Sequence, residues 1–298
     1  GLTPPSRPWH LTKFEDDGLN EWGPSKTFMD ILARRRNAEL RRSNFYSAMH
    51  SSYTEIIAFG STLVYMMEFP AGGFAFRTHT FGEYYWSRNE RGEVDTVFRP
   101  EWWSARKLLA EFGEENLSRQ VKEALKNNQP YTNFEILHVV EPRTDRDVTK
   151  KNSANKPFAS LWFELANEKK VLRESGLDDF CYAAGVWMLV GSDNYGSGNP
   201  GFKKLPDIKQ LQDMEESCVM ATHRELDPPL QAPIGHKGEP IRRNAGGTTF
   251  YDGQSDGFKR LYEFKFDIAA GEAKSEAIRQ RIYKGFYNDL FLMITSSE

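Results

Sequence analysis

Two long stretches in the last third of the chain carry apolar residues at helical spacing, and they limit the fold more than anything else in the sequence. Leu205, Ile208, Leu211, Met214, Cys218 and Ala221 recur every three or four residues, as do Ile278, Ile282, Phe286, Leu290 and Met293. This spacing sets an apolar stripe along one face of an α-helix. Lys209, Gln212, Asp213 and Glu216 fall on the other side of the first stretch. Asp227-Pro228-Pro229 ends it, because proline cannot continue a helix. From 230 to 267 the chain is rich in Gly, Pro and charge, with a strand-like run at 258–266, and the second helix is expected over 271–294. Helices of about 20–24 residues are about 30–36 Å long. The last third therefore reads as a two-helix stalk with a small α/β or β tip.

The first two thirds mix both periods. Proline and tryptophan make 1–23 an extended arm, and Ser25 is a candidate cap for a helix beginning near Lys26. Helical spacing over 28–57 continues without proline to Met67, broken only by Gly60. The Arg34-Arg35-Arg36 and Arg41-Arg42 clusters read as a solvated face or as salt bridges to a partner. Alternation over 74–86, the turn Asn89-Glu90-Arg91-Gly92 and a strand over 93–98 predict a hairpin. Helices are expected at 102–112 and 117–125, and strands at 134–140, 158–166 and 185–190. A surface loop or hairpin tip is expected at 143–156. The fold class is α+β, and 298 residues suggest two domains at about 150 residues each.

Several function classes are excluded or weakened. Lys+Arg total 39 and Asp+Glu 42, a net charge of −3, so the chain is no uniformly basic nucleic-acid coat. Local basic patches or a charged channel remain open. Cys181 and Cys218 are too few for a disulfide framework and read as free thiols in a reducing compartment. The longest apolar run, 180–191, is far short of the about 20 residues that span a bilayer, and the opening residues lack the pattern of a secretory signal.

Gly196-Ser197-Gly198-Asn199-Pro200-Gly201 is formally G-x-G-x-x-G, which makes an NAD(P)- or FAD-dependent oxidoreductase the alternative reading. Against it, Pro200 removes an amide, the helix is expected only near Pro206, and no second strand ends about 20 residues on. No phosphate-binding G-x-x-x-x-G-K-[ST] or G-x-S-x-G occurs, and the six histidines lack paired ligand spacing. Acidic pairs such as Glu114-Glu115, Asp178-Asp179 and Glu215-Glu216 read as surface charge. No catalytic residue, metal or cofactor is assigned.

Asn194-Tyr195-Gly196-Ser197-Gly198-Asn199-Pro200-Gly201, Leu205-Pro206-Asp207-Ile208-Lys209-Gln210-Leu211 and the exit Asp227-Pro228-Pro229-Leu230-Gln231-Ala232-Pro233 resemble segments of one family. It is the head-to-tail connector, or portal, family of short-tailed bacteriophages. Leu2-Thr3-Pro4-Pro5-Ser6-Arg7-Pro8-Trp9, Phe59-Gly60-Ser61-Thr62-Leu63-Val64-Tyr65, His138-Val139-Val140-Glu141-Pro142-Arg143 and Gly285-Phe286-Tyr287-Asn288-Asp289-Leu290-Phe291 are similar to further family segments, in the same order. The turn from Tyr195 to Pro200 holds one residue more than the family pattern, with Asn199 before the proline.

The resemblance implies a portal-type subunit with an α/β wing (1–204), stem helices (205–226 and 269–298) and a small α/β clip (227–268). A tunnel loop and crown would follow the second stem helix. It implies a non-enzymatic ring, normally a dodecamer, at one capsid vertex of the virion, assembled in the bacterial host cytoplasm. Double-stranded DNA would pass through it, and the major capsid or scaffolding protein, terminase and a tail adaptor would be its partners. On this reading Lys203, Lys209, Arg279, Arg281 and Lys284 are candidates to face DNA in the channel, or to bridge neighbouring subunits. His236, Lys237, Arg242 and Arg243 in the clip are candidates for the motor or the tail adaptor.

Overall fold

Helical spacing over 28–57 resolves into two helices, not one. The computed structural model describes residues 3–5, 9–69, 72–150, 152–165, 171–226, 230–231, 259–260 and 267–290. The chain divides into two compact units, Gly1–Phe202 and Lys203–Glu298. In the first, the Asp16 carboxylate caps the short α1 (Asp17–Glu21) by accepting from the Gly18 amide at 2.8 Å. α2 (Gly23–Arg42) follows at once, with Pro24 in its first turn, where a missing N–H costs nothing. The helix thus starts before Ser25, which lies buried inside it and is not its cap. α3 (Phe45–Phe59) begins after Asn44, whose side chain is engaged elsewhere, and ends at Gly60, in the left-handed region at φ 80°.

Gly60 turns the chain into β1 (Ser61–Glu68), so the helical pattern stops there and does not reach Met67. β2 (Phe74–His79) and β8 (Tyr182–Val186) flank β1 in an antiparallel sheet of order β2-β1-β8. On the open edge of β2, the Asn44 amide donates to the Phe76 carbonyl and accepts from the Phe76 N–H, both at 2.7 Å.

The second sheet runs β3 (Tyr85–Arg88), β4 (Val94–Ser104), β5 (Asn133–Pro142), β6 (Phe158–Glu164) and β7 (Val171–Leu177), all antiparallel. The expected hairpin at Asn89–Gly92 joins β3 to β4. β4 runs on through Trp102, and α4 (Ala105–Phe112) starts only after Ser104, whose hydroxyl accepts from the Lys107 amide at 3.4 Å. α5 (Arg119–Lys126) is capped in the same way by Ser118. The strand expected at 185–190 is β8, which lies earlier and ends at Val186.

Both buried hydrophobic clusters of this unit draw on one face of the five-stranded sheet. At one end of that inner face Trp103, Ile136 and Trp162 pack against Leu108, Phe112 and Val121 of α4 and α5. At the other end Val97 and Val140 meet Leu63 and Tyr182 of the smaller sheet. Each fully buried aliphatic side chain of this kind contributes roughly 1.5–3 kcal/mol.

Between these apolar ends lies a buried polar seam. Arg99, 4% exposed, contacts Glu101, reaches His79 Nε2 at 2.9 Å and donates to the Tyr182 hydroxyl at 3.2 Å. His138 stacks on Trp162 with ring centroids 4.0 Å apart, pairs with Ser160 Oγ at 2.9 Å and meets the Tyr182 hydroxyl at 3.2 Å. Burial, and then the nearby Arg99 cation, lower the pKa of both His79 and His138 to about 3. Both imidazoles are therefore neutral in the fold, while in the unfolded chain they take up protons below about pH 6.5.

This pair should contribute its full stability above about pH 6.5 and lose it as pH falls towards 3. The loss is at most about 1.4 kcal/mol per pH unit for each ring. Thermal melts of wild type and a His138→Gln variant between pH 7 and 4 check this, and the variant should show the shallower decline.

Candidate functional site

The second unit is built on α6 (Pro200–Leu226), whose first residues belong to the first unit, and α7 (Ile268–Gly285). α6 starts at Pro200, six residues earlier than expected, because proline suits a first turn. Pro206 is accommodated inside the helix at the loss of one hydrogen bond. Asp267 caps α7, accepting from the Ala270 amide at 3.1 Å. α7 stops at Gly285, well before the expected 294, where Phe286 and Tyr287 form a turn and Tyr287 takes φ 57°. Helix resumes over 288–290.

Cross-helix partners run in opposite senses, so the two helices are antiparallel. Asp207 Oδ1 meets Arg281 Nε at 3.3 Å, and Glu215 Oε1 meets Arg279 Nη2 at 2.5 Å. Gln210 accepts from Arg281 at 3.4 Å, and Lys204 bridges to Asp207 at 3.2 Å. Gly285 leaves room for the Lys204 side chain, which a Cβ there would overlap.

Further along, Glu215, Cys218, Val219, Thr222, His223, Glu272, Ser275, Glu276 and Arg279 line a groove of about 550 Å³. The Ser275 side chain is buried in its wall. Of the expected apolar stripe only Ala221 is buried on α6 and only Ile278 on α7, and Leu205 is 42% exposed. Val219, Met220 and Tyr283 are exposed as well. The helix pair holds its register by charge and leaves much of its apolar surface uncovered.

Lys203, Lys209 and Lys284 are exposed. Arg279 and Arg281 are held within the chain by Glu215, Glu276 and Asp207. α7 carries Lys274, Arg279, Arg281 and Lys284 against Glu272 and Glu276. His236, Lys237, Arg242 and Arg243 lie outside the described residues. Between the helices, the described backbone of the tip includes β9 (Leu230–Gln231) paired antiparallel with β10 (Lys259–Arg260). Glu215, expected as surface charge, is half-exposed and pairs with Arg279, while Asp207 had only the i,i+3 spacing from Lys204 as a signal.

The glycine turn has another use. A Cβ on Gly196 would overlap the carbonyl of Gly60, and one on Gly201 would stand 2.5 Å from the carbonyl of Ala58. Both glycines let the turn lie directly on the end of α3. The Gly196 amide donates to Ser61 Oγ at 2.8 Å, and the Trp187 amide donates to the Gly60 carbonyl at 2.8 Å. Asn199, 3% exposed, donates its amide to the carbonyls of Ile57 and Ala58 at 2.9 and 2.7 Å. It thereby satisfies carbonyls that a helix end leaves unpaired. The extra residue of this turn is a side-chain cap for α3, and the glycines serve backbone contact within the fold.

One unit is thus α/β and the other is built on an antiparallel helix pair with exposed apolar side chains. The chain belongs to the bacteriophage head to tail connecting protein family, whose profile matches residues 1–298. It is 33% identical over 298 residues to the portal protein of Salmonella phage epsilon15, covering 99% of this chain and 53% of that protein. It is 31% identical over 300 residues to the probable portal protein of Bordetella phage BPP-1, covering 99% and 54%. The chain thus spans about half the length of the curated relatives it matches. No described helix is long and apolar enough to cross a membrane.

Proposed function

We propose that this chain is the wing, stem and clip part of a phage portal subunit, which closes into a ring at one capsid vertex. On this reading 1–204 form the wing, 205–226 and 269–298 the stem, and 227–268 the clip. Double-stranded DNA passes through the ring during packaging and ejection. Terminase docks during packaging, the tail adaptor docks afterwards, and the capsid or scaffolding protein surrounds the ring. The chain itself has no catalytic part in these events.

The observation that carries this is the helix pair whose apolar stripe is mostly only half-buried and which exposes Leu205, Val219, Met220 and Tyr283 as well. Head-to-tail contacts that close a ring supply the missing cover. Exposed Lys203, Lys209 and Lys284 suit weak, sequence-independent phosphate contacts with a moving duplex. Arg279 and Arg281, already paired within the chain, serve mainly to hold the helices in register. His236, Lys237, Arg242 and Arg243 are proposed for contacts with the motor or tail. Negative-stain microscopy of the purified protein should show closed rings with a central hole. Monomers at every concentration, together with dinucleotide binding, would overturn the portal reading in favour of the oxidoreductase.

A further inference from the structure

Among the described residues, the outer face of the five-stranded sheet is left open over β3, β4 and β5, while residues 153–156 stand over it at Gly176 of β7. Strand register assigns to it Tyr85 of β3, Phe98, Pro100 and Trp102 of β4, Leu137 and Val139 of β5, and Leu161 and Phe163 of β6. Trp102 is 67% exposed and Tyr85 58%, Phe98, Leu137, Leu161 and Phe163 are half-buried, and the central Val139 is buried beneath its neighbours. The apolar clusters that use this sheet, including α4 and α5, draw on the opposite face. An apolar surface this large on a folded protein usually marks an interaction site. Its carboxylates are Glu135, Glu141 and Glu174, of which Glu174 is already paired with Arg143 at 2.9 Å. Glu135 lies directly across from Trp102, Glu141 across from Ala159 and Glu174 across from Leu161. No lysine or arginine occupies an outer-face position of β4, β5 or β6.

The same unit carries a second uncovered apolar surface of opposite charge. Phe28, Ile31 and Leu32 lie at i, i+3 and i+4 on α2 and are 58%, 46% and 44% exposed. Their stripe continues into Arg35, within the cluster Arg34-Arg35-Arg36 and ahead of Arg41-Arg42. A 20-residue helix is about 30 Å long. Five strands about 4.8 Å apart and about 23 Å long have a diagonal of similar length.

We propose that the α2 ridge of one copy docks on the outer sheet face of the next. Phe28, Ile31 and Leu32 would cover Trp102 and its neighbours, and the arginines would face Glu135 and Glu141. This rests on the ring reading and names the surfaces that close the ring. Two different, complementary patches on one chain make a head-to-tail contact, which repeats around a ring instead of ending at a dimer. A helix on a sheet is also an ordinary packed layer.

The test is mass photometry and light scattering of wild type, Trp102→Glu and Phe28→Glu, with circular dichroism to confirm that both variants fold. Each variant replaces an exposed residue and keeps one patch intact. Each alone should be monomeric where wild type assembles, and an equimolar mixture should form 1:1 heterodimers that grow no further. Assembly of either variant alone like wild type would overturn the docking and leave the ring reading standing. So would monomeric variants that give no heterodimer on mixing, because the two patches would then not be partners. Monomeric wild type throughout would overturn both.

Discussion

Arg99→Met is expected to destabilise the first unit by about 3–5 kcal/mol at neutral pH, the range for removing one partner of a buried ion pair. Glu101, with 15% of its side chain exposed, would keep only the Trp103 indole N–H at 2.5 Å. The Tyr182 hydroxyl and His79 would each lose a buried partner. The buried Arg99 Nε makes no hydrogen bond, which favours the lower end of the range. A second consequence follows from charge. Arg99 helps to hold His79 and His138 at low pKa, so without it both should titrate closer to 6.5 and the acid-induced loss of stability should be smaller. Denaturant melts at pH 7 and pH 5 measure both effects. Adding Glu101→Gln should recover part of the loss, since the two residues share one interaction. A cost below about 1 kcal/mol would show that the seam is not held by its cation.

Gly196→Ala is the other large effect. Its Cβ would meet the Gly60 backbone, which cannot move aside like a flexible side chain. The cost should reach or exceed the upper end of the about 1–3 kcal/mol range for overpacking. Ser197→Ala, one position on, should change stability by less than about 0.5 kcal/mol, as surface substitutions do. Asn199→Ala is expected between the two, because it uncaps two carbonyls without creating a clash. Equilibrium unfolding of the three variants gives the order directly. A Gly196→Ala protein as stable as wild type would mean that the turn does not lie on the end of α3.

Local signals were legible in the sequence. The Asn89–Gly92 turn, the strands β5 and β6 and both long helices could be read from spacing and turn residues alone. β7 could not, because Val171-Leu172-Arg173-Glu174-Ser175-Gly176-Leu177 breaks the alternation of two. It is an edge strand with an irregularity opposite Trp162 and Phe163, which lets Leu172 turn into the core. β1 was hidden differently. Its centre, Leu63–Met67, is an unbroken apolar run without alternation, and only the left-handed Gly60 separates the strand from the helix before it. Asn199 looked like one residue too many until its carbonyl partners, about 140 residues away in sequence, were in place. The polar seam had a faint signal, since His138 lies inward between the apolar Ile136 and Val140, and Arg99 and Glu101 lie inward between Val97 and Trp103. The ion pairs between α6 and α7 had none, because they depend on a register set through a separate stretch of chain.

Asn44 has a meaning beyond its own two hydrogen bonds. Wherever many copies of a chain gather, strand edges come close together, and an open edge invites fibrous pairing. By giving the amide of one side chain to both polar groups of Phe76, the protein places a one-residue stand-in for a neighbouring strand on the margin of β2. Crowding can then favour the specific side-chain contacts between subunits over the indiscriminate backbone contacts of aggregation.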